Sequence, residues 1–256
     1  MTLSHDLAGQ GPSTVLLLHS GVCDRRMWEG QFHALAEAGH RVVRCDFRGF
    51  GETPVEAAHT HADDVRDLLD HLGIDRAAVV GSSFGGGVAL EFAVRHPGHV
   101  SALALLNSGI PGFQPSEELA AWGDREDELI EAGDLDAAVE LNVETWLGPE
   151  AGPEVRALVR EMQRHAFEVQ LAVPDEFSPV RLDVTRDDLA GIKVPALVVA
   201  GAHDVPDFRA VADELTRLLP GARRVDLDWA GHLPALERPA ETARLLTAFL
   251  AETAAP

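Results

Sequence analysis

A serine hydroxyl is a poor nucleophile near neutral pH unless a base removes its proton and an acid steadies that base. The chain has a candidate for each part. Gly81-Ser82-Ser83-Phe84-Gly85 has the spacing G-x-S-x-G. An apolar run at 77–80 precedes it and a helical pattern follows, the strand–turn–helix context in which this motif presents a nucleophile. Gly81 and Gly85 omit side chains that would collide in so sharp a turn, leaving Ser83 at the apex. The N–H of Phe84 then lies at a helix N-terminus, where it can face negative charge developing beside Ser83. Without partners the same residues would make only a glycine-rich turn.

The partners come late in the chain. Asp204 follows one strand candidate and His232 the next, and both loops leave the sheet edge that carries Ser83. Asp204 is therefore the candidate acid and His232 the candidate base. His203 would share a loop with its own orienting acid, and His96 and His99 flank Pro97 at the far end of a helix. Asp207 has the position of a helix N-cap. Asp228, at a strand end, is the more serious rival for the acid. A tetrahedral oxyanion needs a second backbone donor. The loop His19-Ser20-Gly21-Val22 offers Gly21 N–H, with Val22 as the adjacent alternative, and His19 itself has the character of a loop brace.

These positions require a particular scaffold. Continuous apolar runs at 14–19, 41–45, 77–80 and 100–106 alternate with helical patterns at 27–38, 63–72 and 84–96, several stopped by glycine or proline. That rhythm predicts a doubly wound, mostly parallel α/β sheet, with ligands at the carboxyl ends of the strands. His19, Cys45-Asp46, Ser83 and Asn107-Ser108 all fall there. The rhythm lapses at 111–188, where helical stretches at 117–132, 135–146 and 154–173 predict a lid over that edge. Trp122, Trp146 and Phe167 either pack the lid or face a ligand. Strands at 194–200 and 223–228 and helices at 207–219 and 241–250 restore the pattern. The expected domains are a core of residues 1–110 and 189–256 and a helical lid of 111–188.

Composition narrows the function. A chain of 256 residues suits one large domain with an insertion. A formal charge of −21, from 42 acidic and 21 basic residues, would repel phosphate backbones and anionic membranes, so neither nucleic acid nor membrane is an expected partner. Residues 1–10 lack a signal-peptide pattern, and no apolar run approaches the ~18 residues of a membrane span. A cytoplasmic location is expected. Cys23 and Cys45 are too few for a disulfide scaffold and are expected as thiols. No C-x-x-C or H-E-x-x-H pattern occurs, and neither a metal nor a cofactor is expected.

Leu18-His19-Ser20-Gly21, Asp46-Phe47-Arg48-Gly49-Phe50-Gly51, Gly81-Ser82-Ser83-Phe84-Gly85-Gly86, Gly201-Ala202-His203-Asp204 and Gly231-His232 together resemble the α/β-hydrolase fold family over nearly the whole chain. The resemblance implies that fold, with Ser83 as nucleophile, Asp204 as acid and His232 as base. His19-Ser20 stands where the family usually has His-Gly. With Asp24 and Met27-Trp28 it is similar to the 3-oxoadipate enol-lactonases and their esterase relatives. Relatives with an aspartate nucleophile, the haloalkane dehalogenases and epoxide hydrolases, are disfavoured by Ser83. The short N-terminus implies a reduced antiparallel edge. The expected activity is hydrolysis of a small-molecule ester or lactone through an acyl-enzyme. Meta-cleavage C–C hydrolases, thioesterases and acyltransferases share these motifs, and a non-catalytic ligand receptor on this fold is the alternative of another class. Monomer and homodimer both fit the sequence.

Overall fold

Val15, Leu16, Leu17 and Leu18 are all fully buried, as an apolar run without alternation requires when both faces of a strand are covered. They belong to β2 (Thr14–Leu18), near the centre of a seven-stranded sheet. The computed structural model describes residues 2–180 and 182–253. Its other strands are β1 (His5–Ala8), β3 (Arg41–Cys45), β4 (Ala77–Ser82), β5 (Val100–Leu106), β6 (Ala196–Gly201) and β7 (Arg223–Leu227). Their order is β1-β3-β2-β4-β5-β6-β7. All neighbours are parallel except β1, which runs antiparallel to β3 and alone forms that edge.

The helices of the core are α1 (Glu29–Glu37), α2 (His61–His71) and α3 (Phe84–Arg95), followed after an insertion by α7 (Arg186–Ala190), α8 (Pro206–Leu218), α9 (Pro234–Glu237) and α10 (Pro239–Thr253). Alternate strand residues serve opposite faces. Leu16, Leu18, Val79 and Leu105 pack with Leu68 of α2, Leu90 of α3 and Leu215 of α8. Val15, Leu17, Val80 and Ala104 pack with Leu35 of α1 and Leu246 of α10. The helix expected at 27–38 is divided. Asp24 caps a short 3-10 turn, Arg25–Trp28, by accepting the Arg26 N–H at 2.9 Å, and α1 begins only after it.

The strand order reverses between β2 and β4, whose connections leave in opposite directions. This opens a crevice at their carboxyl ends. The insertion between β5 and β6 carries α4 (Glu117–Glu131), α5 (Leu135–Trp146) and α6 (Pro153–Gln170). Val139, Val143 and Trp146 of α5 and Val159 and Met162 of α6 join the second core. α4 buries no residue, in keeping with its acidic composition.

Candidate active site

Ser83 ends the β4 turn with φ +52° and ψ −115°, backbone that a non-glycine residue adopts only when its surroundings enforce it. The enforcement is visible. A Cβ on Gly81 would lie 2.4 Å from the Gly85 carbonyl oxygen, and one on Gly85 would lie 2.4 Å from that of Leu18. Ser83 N–H donates to Leu106 O at 2.9 Å, while Ser83 O accepts from Gly109 N–H at 2.8 Å and Gly86 N–H at 3.0 Å. The turn is thus fastened to the end of β5. Ser83 does not cap α3 with its side chain, so the hydroxyl is left uncommitted by the helix.

Phe84 is the first residue of α3, where a backbone N–H has no intrahelical acceptor. Gly21 is beside it: a Cβ there would lie 3.5 Å from Phe84 Cβ. Val22 follows in the same turn. His19 is buried and braces this loop. Its Nδ1–H donates to Ser20 O at 2.8 Å and its Nε2 accepts the Phe47 N–H at 3.0 Å. Burial pulls its pKa below the ordinary imidazole value, so it ties two loops together as a neutral ring.

Asp204 and His232 are 5% and 2% exposed. Asp204 Oδ2 and Oδ1 lie 2.9 and 3.0 Å from His232 Nδ1, which fixes Nδ1 as the protonated nitrogen and leaves Nε2 as the basic one. Asp204 Oδ1 also accepts the Val205 N–H at 2.8 Å. Both residues stand on the edge that carries Ser83. No hydrogen bond joins the Ser83 hydroxyl to His232 among the described residues; such bonds often tighten only in the substrate complex.

The rivals fall away. His203 and Asp228 are exposed. His96 pairs with Asp63 at 3.0 Å. Asp207 does not cap α8, which Val205 and Pro206 begin. Its carboxylate instead accepts the N–H and hydroxyl of Ser116 at 2.7 and 2.9 Å.

Three residues beyond the sequence candidates shape the site. Asn107, at φ +46°, donates through Nδ2 to Asp204 Oδ2 at 2.7 Å and to Gly231 O at 3.2 Å. Glu237 accepts the N–H groups of Gly231 (2.9 Å) and Leu233 (3.1 Å), the residues on either side of His232. Burial raises its pKa, opposed by N–H donors that include Gly148. Phe208 packs its ring 4.3 Å from the His232 ring, and Trp146 lies 4.7 Å away on another side. Trp146 also accepts the His232 N–H on its carbonyl oxygen at 2.9 Å. Only the sheet-edge position of Asn107 was a signal in sequence; Glu237 and Phe208 gave none.

Ser83 opens into a cavity of about 670 Å³, walled chiefly by Phe84, Val88, Ile110, Phe113 and Phe208. Glu91 is on its wall, its carboxyl pushed up by burial. A second cavity of about 360 Å³ shares Phe84 and His61 with the first. Burial above all, with repulsion from His59, His19 and Arg48, pushes His61 down to about 3, so its ring is neutral.

A strained serine turn on a parallel sheet, with a carboxylate–imidazole pair on the same edge, defines a class. The sequence profile of the alpha/beta hydrolase fold matches residues 13–239. The chain belongs to the α/β-hydrolase fold family. It is 33% identical to a strigolactone esterase of Arabidopsis thaliana, over 94% of this chain and 93% of that one. It is 29% identical to a 2-hydroxymuconate semialdehyde hydrolase of Pseudomonas putida, over 97% and 90%. The crystal structure of an enol-lactonase from Burkholderia xenovorans LB400 superposes with a TM-score of 0.79, at 29% identity, covering 97% of this chain and 96% of that one. Among the described residues, no helix is long and apolar enough to cross a membrane.

Proposed function

We propose that this hydrolase cleaves a carboxylic ester or lactone of a small molecule through an acyl-enzyme on Ser83. His232 Nε2 takes the hydroxyl proton as Ser83 Oγ attacks the carbonyl carbon. Asp204 holds the imidazole in the required tautomer and stabilises its charged form. The N–H groups of Phe84 and Gly21 receive the oxyanion. His232 then returns the proton to the leaving alcohol oxygen. A water, deprotonated by His232, then attacks the acyl carbon, and His232 passes that proton to Ser83 Oγ as the acyl–serine bond breaks and the acid leaves. No cofactor enters.

The observation that carries this reading is the Asp204–His232 pair, buried and correctly polarised at the edge where Ser83 is held in strained backbone. The size and apolar walls of the adjoining cavity support a small substrate. Phe113, Pro179 and Leu182, from the connections that flank the helices of the insertion, line the same cavity, which supports reading the insertion as its lid. A fluorophosphonate probe is expected to add its mass to Ser83, and Ser83→Ala to lower turnover by ~10⁴-fold or more. An unlabelled protein whose Ser83→Ala variant keeps full ester turnover would overturn the assignment. Product analysis on esters, lactones, thioesters and dienones fixes the bond, and dienone cleavage in preference to ester cleavage would replace the ester reading.

A further inference from the structure

Three residues around the start of α2 have ligand chemistry that the hydrolytic site does not use. Thr60 caps the helix. His61 and Asp64, three apart, share one face of its first turn, and His59 arrives from the preceding loop. One donor atom from each lies within 4.8 Å of the other two. His59 is 9% exposed. Its Nδ1–H donates to Ala57 O at 3.1 Å, which leaves Nε2 as a bare lone pair, and Nε2 is buried without a partner among the described residues. His61 Nδ1 is likewise buried and unpartnered. A buried polar nitrogen without a partner is costly, and two in one place require an explanation. A ring N–H fastened to a backbone carbonyl, as in His59, is the arrangement metal-ligating histidines adopt.

We propose that His59, His61 and Asp64 bind a divalent ion of the zinc class, with the two imidazoles as principal ligands and the carboxylate as the third. Two nitrogens and one oxygen suit that ion, and its tetrahedral preference leaves a fourth position for water. Bonds of ~2.0–2.2 Å require the donors to close in by about an ångström. Arg48 holds both oxygens of Asp64 at 2.7 Å. The carboxylate keeps outward lone pairs, but the guanidinium repels an ion, which makes Asp64 the weakest ligand. The spacing H-x-H-x-x-D is neither C-x-x-C nor H-E-x-x-H. The ion has no part in hydrolysis. Because the His61 ring packs 5.1 Å from that of Phe84 and lines the Ser83 cavity, its occupancy stiffens the wall beside the nucleophile.

The test is calorimetric titration of chelator-treated protein with Zn²⁺ alone, together with Co²⁺ titration followed by visible absorption. The expected result is one ion per chain with a Kd of about 10 μM or tighter, a cobalt band of tetrahedral intensity, and at least ~10-fold weaker binding in each of His59→Gln and His61→Gln. If His61→Gln does not fold, His59→Gln, in the loop before α2, decides alone. No binding at about 100 μM Zn²⁺, or uptake undiminished in the folded histidine variants, would overturn the site. The second outcome would assign the ion to other histidines.

Discussion

Glu237 touches neither Ser83 nor the Asp204 carboxylate, yet its replacement by glutamine should slow turnover. Its oxygens accept the N–H groups on both sides of His232, at 2.9–3.1 Å from Gly231 and 3.1 Å from Leu233. A hydrogen bond to a charged acceptor contributes about 1.5–3 kcal/mol. Glutamine keeps one accepting oxygen and sets an NH₂ group against an N–H that had a partner. The substitution also relieves part of the cost of burying the charge, which is what raises the carboxyl pKa. The net loss should be about 2 kcal/mol of stability, read as a lower urea midpoint. The loop then relaxes around His232. A displacement of ~1 Å in a catalytic group costs ~10²-fold, so kcat on p-nitrophenyl acetate should fall by ~10–100-fold with KM little changed, well below the melting temperature. Wild-type kcat in a protein that has lost the expected stability would refute the reasoning. Glu237 would then hold the fold without positioning the base.

Two further substitutions probe the same edge. Gly85→Ala sets a Cβ 2.4 Å from Leu18 O and 2.5 Å from His19 O, backbone atoms of β2 and its loop that cannot swing aside. It should cost about 3 kcal/mol or more in urea unfolding, and an unchanged midpoint would contradict the close strand–helix approach. Asn107→Ala removes the Nδ2 donor to Asp204 and should lower kcat by ~10-fold, the equivalent of one hydrogen bond. Asn107→Gly tolerates the positive φ without strain, so a kcat loss shared by both variants belongs to the side chain, and a loss in Ala alone belongs to the backbone.

The parts of the site that follow from local rules were legible in the sequence. The Ser83 turn is dictated by sterics that span five residues, and Asp204 and His232 each sit one loop beyond an apolar strand. The roles of Asn107 and Glu237 depend on contacts across the fold. Asn107 reaches Asp204 only because β5 lies between β4 and β6 and because its own backbone turns left-handed. Glu237 sits in a four-residue helix whose only purpose visible here is tertiary. The helices α5 and α6 of the insertion were legible within a few residues, since their buried faces repeat at helical spacing. Which side chains face Ser83 was not legible. Phe113 and Leu182 come from irregular connections. Of the aromatic candidates, Trp122 donates to Thr145 and Phe167 is core, whereas Trp146 packs on the His232 ring.

The bond from the His232 N–H to the Trp146 carbonyl has a consequence for how such enzymes can be rebuilt. An insertion proposed to choose substrates is a natural unit to exchange between relatives, like a tool head on a common handle. Here the last turn of α5 is bolted to the loop that bears His232, and Gly148 meets the carboxylate that steadies the same loop. A chimera joined on either side of the whole insertion would import a foreign seat for His232. Junctions that leave residues 146–148 with the core are the ones expected to transfer selectivity without detuning the chemistry.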